Sequence, residues 1–184
     1  MNSTQRKILV CVCGGIAAYK VCQVVSQLAQ QQYSVDVAMT AESLKFVGAL
    51  TFEALSGHAV HTDLFNNPDS QDPQHIQLAQ QADLIVVAPA TANMIGKIAH
   101  GMADDLVSTL LLAAEPEKLL LAPAMNEQMW NNPAVQANVA LLRSRHIAMI
   151  GPESGWQACR TIGVGRMSEP DAIIQMIKAR VANP

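Results

Sequence analysis

The chain is short of charge, of aromatic rings and of long apolar runs. Asp, Glu, Lys and Arg make up 15% of its 184 residues, and the net charge is −3 with no basic run. Nucleic acid and anionic membranes are held by clustered Lys and Arg, so both are excluded as partners. No stretch reaches the roughly 20 apolar residues that span a bilayer. The first residues, Met1 to Lys7, are polar and lead straight into a strand, which is not the pattern of a secretion signal. The four cysteines, Cys11, Cys13, Cys22 and Cys159, form no disulfide framework, so a reduced, cytoplasmic protein is expected. No second ligand pair follows Cys11 and Cys13 at zinc spacing. Both are read as core, and no metal is expected.

Hydrophobic residues are plentiful, at 50% of the chain. That is enough for one domain, residues 1–184, with a sizeable core. It is also rather apolar for a free monomer, which points to surface buried between subunits.

Strand-like and helix-like segments alternate. Lys7 to Cys13 reads as a strand, Gly14-Gly15 as a turn, and Ile16 to Gln30 as a helix. Ser34 to Met39 is a second strand, followed by a helix after Ala41, a helix fragment over Thr51 to Leu55 and a short strand over Ala59 to Thr62. Asn66 to Gln74 is a polar loop. Leu84 to Ala88 is a buried strand, Pro89 to Asn93 a loop, and helices follow over Met94 to His100 and Asp104 to Ala114. Lys118 to Pro123 is a strand, Pro133 to Arg145 a helix with proline in its first turn, and Ile147 to Ile150 a strand. Gly151 to Arg166 is a loop or glycine-rich hairpin flap, and a last helix starts at Glu169. This alternation predicts a three-layer α/β fold on a parallel sheet.

Four segments carry candidate chemistry. Pro123-Ala-Met-Asn-Glu-Gln-Met-Trp130 follows a buried strand, where open α/β sheets place their ligands. It offers an amide, Asn126, and two thioethers, Met125 and Met129, but no acid or base, which suits gripping a polar, planar group. After the first strand, Gly14 and Gly15 open a helix whose N–H groups suit a phosphate, yet the segment is neither G-x-G-x-x-G nor a Walker loop. Thr40, not an acid, ends strand two, so a mononucleotide is favoured over a dinucleotide. Thr91 and Asn93 stand in a loop of small residues after another buried strand, and the two small polar loops suggest one crevice. Cys159 lies in the glycine-rich flap, where Arg160 would lower its pKa and where flap closure would exclude water. His75 ends the polar loop, and a histidine can accept a proton or pair with a carboxylate. His58, His61, His100 and His146 have no motif around them.

Together, in this order, these segments resemble the family of homo-oligomeric flavin-containing cysteine decarboxylases. The resemblance covers roughly Lys7 to Lys178. PAMNEQMW is similar to the family's P-x-M-N-x-x-M-W substrate motif, PATANMIGKIAHGMADDL to its flavin-binding segment, and GWQACRTIGVGRM to its substrate-recognition flap. The resemblance implies a Rossmann-like or flavodoxin-like fold, and a homotrimer or a dodecamer of trimers with FMN near the subunit interface. It implies that Gly14, Gly15, Ile16, Thr40, Thr91, Ala92 and Asn93 contact FMN. Ala124, Asn126 and Met129 would hold substrate, and Arg160 would add a contact to its phosphate; His75 would act during oxidation and decarboxylation, and Cys159 would donate the last proton. The implied activity is decarboxylation of 4′-phosphopantothenoylcysteine in coenzyme A biosynthesis, through a thioaldehyde and an enethiolate. Peptidyl-cysteine decarboxylation and a flavin-binding regulatory subunit without turnover are the alternatives. A phosphopantothenate–cysteine ligase, to which such decarboxylases are often fused, is an expected partner; the chain is then a stand-alone enzyme or one domain of a fusion. Two residues depart from the family pattern: Arg160 stands where glycine is usual, and Trp156 is unusual.

Overall fold

The computed structural model describes residues 5–65 and 73–182. The elements in chain order are β1 (Lys7–Val12), α1 (Ala18–Gln30), β2 (Ser34–Met39), α2 (Ala49–Ser56), α3 (Gln74–Gln81), β3 (Leu84–Ala90), α4 (Ala92–His100) and α5 (Leu106–Ala113). There follow β4 (Leu119–Pro123), α6 (Glu127–Trp130), α7 (Pro133–Ser144), β5 (Ala148–Met149), β6 (Glu153–Trp156), β7 (Ile162–Arg166) and α8 (Pro170–Ala182).

The first five strands pair in parallel in the order β2-β1-β3-β4-β5. A parallel sheet is covered on both faces, so its strands read as continuous apolar runs. Every position of β3 and β4 is buried. One face carries Ile8, Val10 and Val12 of β1 against Val21, Val24 and Leu28 of α1, Phe52 of α2 and Ile173 and Ile177 of α8. The opposite face carries Leu9, Cys11, Ile85 and Val87 against Met94 and Ile95 of α4, Leu110 of α5 and Leu142 of α7. The expected three layers are therefore present. Cys11 and Cys13 lie in this second core, and burial pushes both thiols up, Cys13 to about 12.

This strand order has a functional consequence. The chain leaves β1 to one side to form β2 and returns to the other side to form β3. The carboxyl ends of β1 and β3 thus open a crevice between diverging connections, the position at which doubly wound sheets take ligands.

Several element boundaries differ from the sequence reading. Pro89 belongs to β3 rather than to a loop, and the register against β4 shifts between Val87 and Ala90. A proline is tolerated in a strand where the ladder is already interrupted. Helix α4 starts at Ala92 rather than Met94, and Thr91 caps it, its hydroxyl accepting from the Met94 N–H at 3.2 Å. The helix expected after Ala41 is a single 3-10 turn, Ser43–Lys45, and the fragment at Thr51 to Leu55 extends to all of α2. The strand expected at Ala59 to Thr62 is only a bridge between Ala38 and His61. The polar loop ends one residue early, because Gln74 opens α3; its residues 66–72 lie outside those described. The glycine-rich segment resolves as the antiparallel hairpin β6–β7. Among the described residues, no helix is long and apolar enough to cross a membrane.

Candidate active site

A cleft of about 890 Å³ lies over the carboxyl ends of β1, β3 and β4, within the range of small-ligand sites. The β1–α1 turn forms one wall with Gly14, Gly15 and Ile16. Helix α1 begins behind this turn without any side-chain cap and with no acid in its first turn. The Ala18 and Lys20 N–H groups already donate to the Gly15 and Ala17 carbonyls, and the helix dipole still favours an anion at this end. Ile16 and Tyr19 remain exposed for such large apolar side chains, at 60% each. Gly14 is glycine for a packing reason as well: a Cβ there would lie 2.4 Å from Cβ of Glu42.

Thr40, at the end of β2, lines the same wall and is buried, its Oγ1 3.3 Å from the Ser43 N–H. Thr91, Ala92 and Asn93 enter from the start of α4. Asp105 lies beside them. It caps α5 through the Ser108 N–H at 2.7 Å and holds Lys97 at 2.7 Å, so its carboxylate is fully engaged.

The remaining wall is made by the segment after β4 together with the hairpin. Asn126 caps the short α6, its Oδ1 accepting from the Gln128 N–H at 2.8 Å. That bond fixes the orientation of the amide and leaves Nδ2 pointing at the flap, 3.2 Å from Sγ of Cys159. Backbone N–H groups also clamp the flap to this segment. Met125 N–H donates to the Gly165 carbonyl at 2.9 Å, and Val164 N–H donates to Glu127 Oε1 at 3.0 Å. Gly163 and Gly165 allow the close approach, since a Cβ on either would collide with the Glu127 carboxylate or with the Met125 carbonyl.

Cys159 is exposed at the hairpin tip, with Oγ1 of Thr161 at 3.0 Å. The Thr161 contact, aided by the Asn126 amide, lowers its thiol below the ordinary range. Hydrogen bonds to the thiolate, from Thr161 first, produce this shift. Iodoacetamide should thus label Cys159 at lower pH than an ordinary cysteine, while the buried Cys11 and Cys13 stay unlabelled in the folded protein. Labelling of Cys159 only at or above the pH for a free thiol would contradict this geometry.

Of the residues singled out in the sequence, Gly14, Gly15, Ile16, Thr40, Thr91, Ala92, Asn93, Ala124, Asn126, Met129 and Cys159 all line this one cleft. Two do not. Arg160 is exposed beside it with φ of 65°, the left-handed conformation that favours glycine. This explains why a glycine is usual there. Arg160→Gly should relieve strain and leave stability unchanged or raised by up to about 1 kcal/mol, whereas the β-branched Arg160→Val should lose about 1–2 kcal/mol. Thermal denaturation checks both, and weaker substrate binding by the glycine variant would instead reveal a working guanidinium. His75 is the other. It sits on α3, which packs against α5, and it is not among the residues lining the cleft. Its Nδ1 is buried and has no hydrogen-bond partner among the described residues.

Lys20, Arg166, Gln157 and Trp156 line the cleft without having been singled out as site residues. Lys20 and Arg166 share Glu169, at 3.0 and 2.9 Å; Arg166 lies three residues from it, whereas Lys20 comes from a distant part of the chain. Thr161 was also missed, although its position two residues from Cys159 in a tight turn is a usable signal.

Comparison with known proteins places these features in context. The model of the family described as Flavoprotein matches residues 1–182. The coenzyme A biosynthesis bifunctional protein CoaBC of Bacillus subtilis (strain 168) is 46% identical over 177 residues, covering 96% of this chain and 43% of that protein. The chain therefore spans less than half the length of this curated relative. A cysteine-to-serine mutant of PPC decarboxylase, complexed with pantothenoylaminoethenethiol, superposes with a TM-score of 0.84 at 30% identity, covering 95% of this chain and 97% of that one. The FMN-dependent cysteine decarboxylase SpaF gives a TM-score of 0.82 at 32% identity, covering 97% and 98%.

Proposed function

The chain belongs to the Flavoprotein family, and from that premise we propose that it is an FMN-dependent phosphopantothenoylcysteine decarboxylase of coenzyme A biosynthesis, acting in the cytoplasm. The observation that carries this reading is the convergence on one cleft of the β1–α1 turn, the α4 start, the Asn126 segment and the Cys159 hairpin. The cleft fits FMN on its own evidence. The uncapped start of α1 suits the phosphate, Thr40 and Thr91 supply hydroxyls, and Ile16, Met125 and Met129 supply apolar surface for a ring system.

A bound flavin would supply reversible two-electron exchange with the substrate thiol, creating and then removing the C=S group into which the electrons of the departing carboxylate flow. The protein's own residues do the rest. Asn126 binds the carboxylate through Nδ2 as a neutral donor. A cation there would stabilise the ground-state carboxylate more than the transition state in which that charge disperses. Cys159 stands beside the same Nδ2 and donates the final proton; its lowered pKa makes the thiol a better acid near neutrality. Met125, Met129 and Trp156 keep water from the reacting atoms.

His75 completes the site only if it reaches the cleft of a neighbouring copy. Its position outside its own chain's cleft supports a homo-oligomer, a trimer or a dodecamer of trimers, with the site at the subunit boundary. Exposed Leu50, Phe65 and Leu112, at 76%, 90% and 57%, offer apolar surface for such contacts. The ligase that makes the substrate is the expected partner, fused or separate. The regulatory reading is not favoured, because His75, Asn126 and Cys159 are all present.

Purified protein should be yellow, with the absorption of oxidised flavin. It should convert 4′-phosphopantothenoylcysteine in preference to a peptide ending in cysteine. Colourless protein after reconstitution with FMN, or preference for the peptide, would overturn the reading.

A further inference from the structure

The hairpin holds one polar side chain whose surroundings the reaction scheme above does not use. Gln157 is only 7% exposed although it sits at the tip between exposed Trp156 and exposed Cys159. Its Oε1 is a shared acceptor. The Glu127 N–H lies 3.2 Å away, and Asn126 Nδ2 and Cys159 Sγ each lie 3.5 Å away. The Glu127 N–H can only donate, so the amide cannot be flipped without placing two donors face to face. Its Nε2 is thereby left buried with no partner, over Gly165, where a Cβ would approach it to 2.8 Å. A buried N–H without a partner destabilises a fold. A shape-matched apolar side chain would avoid that loss, but it would leave the hairpin without the oxygen that meets the substrate segment.

We propose that Gln157 is a positioning residue that sets the Cys159 thiol against Asn126, so that the decarboxylated intermediate is protonated before it leaves the cleft. This rests on the decarboxylase reading. One oxygen registers the hairpin tip on the start of α6 and on both working side chains, so tip and substrate segment move as one unit. Gln157 itself transfers no proton. The proton passes from Cys159 Sγ to substrate carbon, and the thiolate is recharged from solvent.

Gln157→Met and Gln157→Glu in the flavin-loaded enzyme separate positioning from mere packing. Methionine keeps the length of the side chain and deletes the acceptor. The ratio of unreduced enethiol-type product to aminoethanethiol product should rise about tenfold, as expected for a misplaced catalytic group. Glutamate keeps the acceptor and adds a negative charge beside Sγ. The product ratio should then return to within about twofold of wild type, while alkylation of Cys159 moves up by about one pH unit. Equal product ratios in the two variants, or an unmoved alkylation profile in Gln157→Glu, would overturn the proposal. Should Gln157→Met fail to fold, the alkylation profile of Gln157→Glu decides alone. Absence of carbon dioxide from the wild-type enzyme would sink the decarboxylase reading instead, and the alkylation profile would still report on Gln157.

Discussion

Replacing Cys159 with serine is expected to leave carbon dioxide release in place and to stop the reaction at an oxidised, enethiol-type product. A serine hydroxyl can keep contact with Thr161 and Asn126, whose partner atoms lie 3.0 and 3.2 Å from Sγ. It is nevertheless a far weaker acid than a thiol whose pKa those same contacts lower. Yield of the aminoethanethiol product should fall by about 10²- to 10⁴-fold, the usual worth of a positioned general acid. Mass analysis of the products distinguishes the outcomes. Full yield of the reduced product would show that another group supplies the proton and that the Cys159 contacts are incidental.

His75→Asn is expected to retain FMN and to lose turnover by about 10³-fold, within the range for a positioned acid or base. No FMN-contacting position proposed here lies on α3, so flavin content should be unaffected. A stricter prediction follows from the position of His75 outside its own chain's cleft. Asn126→Asp would place a second negative charge at the proposed position of the substrate carboxylate and should be inactive for a different reason. When the two variants are co-expressed and mix at random, a cleft is complete if its own chain keeps Asn126 and its neighbour keeps His75. About one cleft in four meets both conditions in a symmetric assembly, so roughly a quarter of wild-type activity should reappear. No recovery, alongside verified mixed oligomers, would place His75 in a structural role or within its own chain's site.

The layers were legible because β1, β3 and β4 are continuous apolar runs separated by helical periodicity, and periodicity is a local property. Strand order was not, since nothing in β1 or β3 says which neighbours each will take. Yet it is that order which turns Gly14 and Gly15 from an ordinary tight turn into one side of a crevice. Boundaries failed where tertiary pairing overrode local chemistry. Pro89 reads as a strand stop and is absorbed at a register shift, while Ala59 to Thr62 reads as a strand but meets only one bridge partner. Cys159 and Asn126 each stood out within their own segments, whereas their 3.2 Å contact spans 33 residues and emerges only from folding. Gln157 gave no signal at all, because a glutamine in a glycine-rich tip reads as solvated. Arg160 misled in the opposite direction. A cation next to a cysteine suggests a lowered pKa, but a left-handed backbone at the tip leaves the guanidinium outside the cleft and gives that role to Thr161.

Anaerobic mixing of the flavin-loaded protein with 4′-phosphopantothenoylcysteine, followed by mass analysis, reads out the decarboxylation itself. The expected product differs from the substrate by the loss of one carbon dioxide and nothing else, and forms with no added reductant. Unchanged substrate in the presence of bound flavin, or a product lacking hydrogen as well and formed only when an oxidant is supplied, would contradict the decarboxylase reading.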